Sequence, residues 1–378
     1  MKRIGIDARL YNETGVGVYI RNLLHYLDEL PPSDMQFYVY VLDTKKVNVD
    51  FKSKSFIIRP TTSRWHSLAE QVSFCQQLYQ DNLDLMHFTY FSYPVLYGRP
   101  FIATVHDVTP LLFKTGRAST LQPLIYEFKH LVFKFVLSSQ IKNATKIITP
   151  TESVKKQLTA IYGKKIGAKI TVTGEGVDYQ LVKATSSNHQ LPKSSNLTPK
   201  PFLLYVGNFY PHKNVERLIV AFKALTIRPD LQLVLVGPKN YFSERLRAQT
   251  KNPRVHFYLK TSLEERIGFY QQASALINPS LSEGFGLPII EAVYFNLPIL
   301  ASNLPAFKEL LGDKFTAFDP KSKENMREKI VAFIKNPPQV DYSGILEKYS
   351  FSKMTKVIVS EYKKLLMSIS SPEGLVKC

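Results

Sequence analysis

The densest cluster of chemistry-bearing residues is the run from Ser280 to Ala292, SLSEGFGLPIIEA. It follows an apolar, strand-like stretch, ALINPS, so Glu283 falls on a loop at a strand's carboxyl end, where open α/β sheets bind ligands. Gly284 and Gly286, on either side of Phe285, expose backbone amides. Leu287 and Pro288 then open a helix, since proline suits a first helical turn, and Glu291 lies inside it. One carboxylate so placed reaches a polyhydroxyl group, the other a second hydroxyl pair, and the amides between them meet an anion. The plainer alternative is a helix-start carboxylate beside an ordinary surface charge.

Three further sites share this position after a strand. Gly207-Asn208-Phe-Tyr-Pro-His212-Lys213-Asn214 follows FLLYV. A lysine at a helix start beside a glycine turn suits a diphosphate, adding its point charge to the helix dipole and free amides; a solvated lysine is the equal alternative. His106 and Asp107 end the strand FIATVHD, placed either for catalysis and sugar contact or for satisfying each other locally. Gly15 and Gly17 bracket a turn between the first strand and the amphipathic run Val18 to Leu27. The third glycine of a dinucleotide fingerprint is replaced by Ile20, so a tight turn and a phosphate contact both fit.

The elements that must position these residues repeat one pattern. Short β-branched and aromatic runs (IGID, FYVYVL, SFIIR, DLMHF, FIATVHD, KIITP) alternate with helical periodicity, which predicts a parallel α/β sheet. A Ser-, Asn- and Pro-rich stretch over 185–201 predicts a linker. Beyond it the pattern restarts with FLLYVGN, a helix from Asn214 to Leu225, LQLVLVGP, VHFYL and ALINPS. Two Rossmann-like domains, 1–184 and 202–351, are the simplest account, followed by a helix with one apolar face from Ser352 to Met367. The 378 residues, 44% hydrophobic, suit two such cores.

The pieces together resemble the retaining family-4 glycosyltransferases of GT-B fold. The residues that carry the resemblance are the glutamate-x7-glutamate spacing of Glu283 and Glu291, the IDAR strand with its GVG turn, the VHD strand end, the YVGN…HKN turn, and NLPILASNLPAFKEL after the glutamate pair. It covers nearly the whole chain. It implies two Rossmann-like domains facing a cleft, a nucleotide-sugar held by the carboxyl-terminal domain, and a last helix, 352–378, crossing back to the first domain. It further implies that Glu283 binds hydroxyls of the donor sugar, Glu291 the ribose, and Lys213 the leaving diphosphate, with amides around Gly286, Leu287 and the Gly15–Gly17 turn completing an anion cradle. His106 then lies near the transferred sugar. Many relatives have an arginine directly after the glycine, where this chain has Asn208. Either Lys213 carries more of the charge with help from Arg217, or the protein is slower. Base selection falls to the turn around Leu259 to Ser262.

The formal charge of +18 calls for an anionic partner. Within 114–169, Lys129, Lys134, Lys142, Lys146, Lys155, Lys156, Lys164 and Lys165 face only Glu127 and Glu152. There Leu121, Leu124, Ile125, Phe128, Leu131, Val132 and Phe135 form a pattern that fits a helix lying on an anionic membrane surface or, equally, a core helix with a solvated basic face. No apolar run reaches the ~18 residues of a membrane span, and Asp7 and Arg9 interrupt any signal peptide. Two cysteines, Cys75 and Cys378, build neither a disulfide framework nor a thiolate metal site. A cytoplasmic enzyme, peripheral on the inner face of the cell membrane, is expected, with no metal and no cofactor. Its partners are a nucleotide-sugar donor and a glycan or lipid-linked saccharide acceptor in surface polysaccharide assembly, with mannose the first choice of sugar. The rivals are a nucleotide-sugar epimerase of GT-B architecture, a catalytically impaired nucleotide-sugar binder, and a basic nucleic-acid binder. The last lacks any recognition module, so nucleic acid is not expected as a partner.

Overall fold

A computed structural model describes residues 1–42, 51–112, 123–186 and 201–370. Cys378 and most of the expected linker, residues 187–200, lie outside the described residues. The chain divides into two compact units. The first comprises Met1–Val108, Leu121–Glu175 and Tyr349–Cys378, and the second Thr109–Thr120 and Gly176–Lys348.

The first unit holds a seven-stranded, all-parallel sheet built from β1 (Lys2–Asp7), β2 (Met35–Val41), β3 (Phe56–Pro60), β4 (Leu85–Phe88), β5 (Phe101–Thr104), β6 (Lys146–Thr149) and β7 (Ile170–Val172), in the order β3-β2-β1-β4-β5-β6-β7. The second unit repeats the plan with six parallel strands: β8 (Phe202–Val206), β9 (Gln232–Gly237), β10 (Val255–Leu259), β11 (Ala275–Asn278), β12 (Ile299–Ser302) and β13 (Thr316–Phe318), in the order β10-β9-β8-β11-β12-β13. The central strands are buried along their length, β4, β11 and β12 at every residue. That explains why they read in the sequence as continuous apolar runs and not as alternation: helices cover both faces of a parallel sheet.

Both sheets reverse direction of winding once, between β1 and β4 and between β8 and β11. Loops leaving neighbouring strands there diverge to opposite faces and open a crevice at the strands' carboxyl ends. The expected domain boundary moves. The helix Tyr179–Ser186 belongs to the second unit, where Thr185 Oγ1 is 2.6 Å from the Tyr294 hydroxyl. The polar stretch after it marks where a helix ends, whereas the change of unit falls earlier, between Glu175 and Gly176.

The last helix, Phe351–Ser370, packs within the first unit against the Val16–Glu29 helix. Its buried stripe of Met354, Ile358, Tyr362 and Leu366 follows the 3.6-residue period. A polar pin accompanies the apolar stripe. The buried His87 imidazole of β4 meets the Tyr362 hydroxyl through Nδ1 at 2.6 Å and Thr104 Oγ1 of β5 through Nε2 at 2.7 Å. Burial pushes this histidine down to about 3, aided by the nearby His106. Glu361 of the same helix pairs with Lys146 of β6 at 3.2 Å and with Lys364 at 2.9 Å.

Asp7 and Arg9 of the first strand end form a buried pair. The Arg9 guanidinium donates to both Asp7 oxygens at 2.8 and 2.7 Å and to Glu70 at 2.7 Å, over the Phe74 ring. A guanidinium paired on both sides is how such a charge survives burial.

Candidate active site

In the second unit, the expected residues gather at the carboxyl ends of β8 and β11, the two strands of its reversal point. The turn after β8 carries Gly207 and Asn208, then a single 3₁₀ turn, Pro211–Lys213, and the helix Val215–Lys223. Asn214 joins the two in the left-handed region (φ 59°), a conformation asparagine tolerates better than most residues. Its side-chain amide donates to the carbonyls of Pro279 at 2.9 Å and Pro320 at 2.8 Å. The Leu281 N–H also donates to the His212 carbonyl at 2.8 Å. The lysine turn is thereby fastened to the glutamate loop.

That fastening brings Lys213 Nζ to 2.7 Å from Glu283 Oε1, the same oxygen that accepts from Ser280 Oγ at 2.7 Å. Burial alone would lift the Glu283 carboxyl. The Lys213 ammonium, the Ser280 hydrogen bond and His212 outweigh it and hold the carboxyl below its usual value. Arg217 lies differently from the expectation that it shares Lys213's charge: its Nη1 donates to Asn214 Oδ1 at 2.8 Å and to the Pro320 carbonyl at 3.0 Å, bracing the turn. The Asn208 carbonyl accepts from the buried Tyr205 hydroxyl.

The glycine turn ends at Gly286, the residue before the helix Leu287–Tyr294, with Pro288 in its first turn. Gly286 has φ +97°, and a Cβ there would sit 2.7 Å from the Phe307 ring, so only glycine fits on both counts. Gly284 and Phe285 are buried, and no side chain caps the helix. Pro288 has no N–H and the Ile289 N–H donates to the Gly286 carbonyl at 2.9 Å, so the Leu287 amide is the first-turn donor placed to meet an anion.

Glu291, one turn into this helix, is buried. Its Oε2 accepts from the Tyr270 hydroxyl at 2.6 Å, and Oε1 lies 4.0 Å from Arg266. Burial lifts this carboxyl above its ordinary value, Asp178 adds to the rise, and neither Arg266 nor Tyr270 cancels it. Two glutamates eight positions apart are thus driven in opposite directions by their surroundings, as in sites where acids hold different roles.

In the first unit, Gly15 precedes the helix Val16–Glu29, again with no side-chain cap, and Gly17 is buried in its first turn. His106 follows β5. Its Nε2 lies 2.9 Å from the Thr89 carbonyl and its Nδ1 3.3 Å from Glu175 Oε1. The Tyr19 ring packs edge-on at 4.8 Å. Asp107 is half-buried beside it. Burial disfavours the imidazolium, but the Glu175 hydrogen bond and charge, the Thr89 carbonyl and Asp107 prevail and raise the histidine above its ordinary value. Among the described residues no group of three or more His, Cys, Asp or Glu could hold a metal ion.

The carboxyl-terminal half, residues 186–348, matches the family of glycosyl transferases group 1, and residues 14–181 match Glycosyltransferase Family 4. The chain belongs to the group 1 glycosyltransferases. Its relatives include the O-antigen chain mannosyltransferase RfbU of Salmonella typhimurium, 25% identical over 84% of each chain. An uncharacterized glycosyltransferase of Methanocaldococcus jannaschii is 22% identical over 93% of this chain and 95% of its own. Among solved structures, sucrose-phosphate synthase from Thermosynechococcus elongatus superimposes with a TM-score of 0.73 at 17% identity, covering 97% of this chain and 100% of that one. Anabaena HepE in complex with UDP-glucose gives 0.71 at 15% identity, covering 96% and 100%. The glycosyltransferase therefore has the two Rossmann-like domains of the GT-B fold that the sequence led us to expect.

Several residues of this glycosyltransferase's site escaped sequence reading. Tyr270 and Arg266 lie on the helix Leu263–Gln272, about twenty positions from their partner Glu291. Asp178 and Glu175 belong to the segment TGEGVD, whose two acids flank a glycine just where one unit gives way to the other. The signal available was two acids within a glycine-containing turn directly after a β-branched, strand-like run, ITV.

Proposed function

We propose that this glycosyltransferase moves a hexose, mannose in the first instance, from a nucleotide-sugar to a glycan or lipid-linked saccharide acceptor in surface polysaccharide assembly. The anomeric configuration is retained and no metal takes part. The observation that carries the reading is the Lys213–Glu283 contact beside the uncapped Leu287–Tyr294 helix. Departure of a nucleoside diphosphate builds negative charge on phosphate and oxocarbenium-like charge on the sugar, which preorganised donors stabilise without reorganising. A diphosphate drawn to Lys213 and the Gly286 and Leu287 amides competes with Glu283 for the ammonium. The carboxylate oxygen so released accepts hydroxyls of the donor sugar. Glu291, oriented by Tyr270, binds the ribose hydroxyls.

The acceptor hydroxyl then attacks the face from which the diphosphate leaves. Its oxygen bonds to the anomeric carbon, the bond to phosphate oxygen breaks, and the acceptor proton passes to that oxygen. His106, Asp107 and the Gly15–Gly17 turn of the first unit are assigned to donor binding and transfer on this reading. Mannose is supported by the names of relatives such as RfbU and the WbdA mannosyltransferase of Escherichia coli, 33% identical over 29% of this chain and 14% of its own. A nucleoside diphosphate product is supported by the HepE complexes with UDP.

The enzyme works peripherally at the inner face of the cell membrane. No helix of the described residues is long and apolar enough to cross a bilayer. The helix Pro123–Asn143, however, leaves Leu131 (65%) and Phe135 (63%) exposed, with Val132 alongside and Lys134 and Lys142 on the same helix. The side chains of Leu124, Ile125 and Phe128, read earlier as part of the same face, lie outside the described residues, as does Leu121. Apolar side chains beside lysines suit an anionic lipid surface.

A thermal-shift panel of nucleoside diphosphates and their sugar conjugates tests the donor, since a ligand bound only by the native state raises its melting point. A sugar nucleotide is expected to stabilise the protein and to be consumed only when a saccharide acceptor is present. A panel without any stabilising nucleotide would sink the reading.

A further inference from the structure

The surroundings of His106 fix more than its position. The Thr89 carbonyl opposite Nε2 can only accept, so that nitrogen carries a hydrogen. Opposite Nδ1 stands the Glu175 carboxylate. A bare ring lone pair facing a carboxylate oxygen would repel it, so a proton lies between them; the Glu175 hydrogen bond and charge raise the histidine above its ordinary value, which favours that proton on the ring. Both members are almost enclosed, with side-chain exposures of 13% and 7%, which strengthens their attraction. The frame around them is tied by further contacts. Thr89 Oγ1 donates to the Asp7 carbonyl at 2.6 Å. Gly174 turns the chain into Glu175 at φ +71°, with the Tyr349 ring 3.1 Å from where a Cβ would stand.

We propose that Glu175 is a positioning residue which locks His106 as an imidazolium, so that the ring serves the transfer as a tethered cation and not as a proton acceptor. The proposal rests on the functional reading above for its bearing on catalysis. It deepens that reading at one step: with both ring nitrogens engaged, the acceptor's proton has no lone pair on His106 to take, and departing phosphate oxygen is its destination. The other groups facing the imidazole do not supply this lock. Asp107 adjoins it in sequence and assists by charge. His87 stays neutral in its buried pin, and burial keeps the Tyr19 phenol protonated.

The test reads the ring directly by 15N NMR of imidazole-labelled protein, with the His106 signals assigned by their loss in His106→Asn. In the parent protein both ring nitrogens are expected to be protonated at pH 7.5. An unprotonated Nδ1 at that pH overturns the proposal whether or not any variant folds. Glu175→Gln keeps the shape and can donate to a neutral Nδ1. It is expected to lower the ring's titration midpoint by at least one pH unit and to move the alkaline limb of the kcat profile down by the same amount, with the donor KM changed less than twofold. A midpoint unchanged in Glu175→Gln also overturns the lock. Absence of transfer by the parent would overturn the functional reading alone, because the ring signals still decide the state of the pair.

Discussion

Lys213 and Glu283 satisfy each other at 2.7 Å, so removing either changes both stability and chemistry. Lys213→Ala should lower kcat by on the order of 10²–10³-fold, the usual cost of losing one donor to developing charge, measured with saturating donor and acceptor. Stability should respond with a definite sign. The Glu283 carboxyl is held below its ordinary value, so its contribution is present above the unfolded-state value and vanishes as pH falls through the folded one. The acid limb of melting temperature against pH should therefore be flatter in Lys213→Ala than in the parent. Glu291 has the opposite sign, because a carboxyl raised by burial costs stability as pH rises through its folded value. Glu291→Gln retains a partner for Tyr270. It should melt no lower than the parent at pH 8 while binding donor about tenfold more weakly, as expected for one lost hydrogen bond to a ribose hydroxyl. These roles were legible only in part. Glycine, proline and glutamate spacing within Ser280–Ala292 located the turn and the helix start, because those residue types answer to local backbone geometry. The Lys213–Glu283 and Tyr270–Glu291 contacts join residues 70 and 21 positions apart, and no local pattern encodes them.

Elements position these residues through a few buried polar links. Asn214 is the clearest case, holding the lysine turn to the loops after β11 and β13. Asn214→Ala removes the side-chain donor of the Pro279 carbonyl and leaves the Pro320 carbonyl to Arg217, and should cost about 1–3 kcal/mol in chemical unfolding of the second unit. The His87 pin acts likewise on the Phe351–Ser370 helix. With its folded-state value pushed to about 3, His87 contributes stability that is complete above the ordinary histidine value near 6.5 and declines as pH falls from there toward 3. The slope should approach about 1.4 kcal/mol per pH unit, and His87→Gln should flatten it in urea unfolding between pH 6 and pH 4. The strand runs were readable because fully buried parallel strands are continuously apolar. The polar run over 185–201 misplaced the boundary for a physical reason: such composition reports where a helix ends, and the Tyr179–Ser186 helix before it already belongs to the second unit, its Thr185 meeting Tyr294.

For the whole molecule, the charge of +18 and the exposed apolar residues of the Pro123–Asn143 helix make a joint prediction. The protein should sediment with vesicles rich in anionic lipid at low salt and release as ionic strength rises. Leu131→Asp with Phe135→Asp should weaken retention on vesicles at any salt concentration while leaving transfer to a water-soluble acceptor intact. Equal sedimentation with neutral and anionic vesicles would remove the membrane role.

The return of the Phe351–Ser370 helix to the unit that contains β1 has a bearing on biogenesis. During synthesis the amino-terminal sheet emerges first yet stays without the Phe351–Ser370 helix until the whole second unit has been made, so the later-made β8–β13 body can mature before it. Ribosome-stalled chains ending at Lys348 should therefore resist protease over β8–β13 and remain cleavable over β1–β7, and chains long enough for the Phe351–Ser370 helix to emerge should close that window.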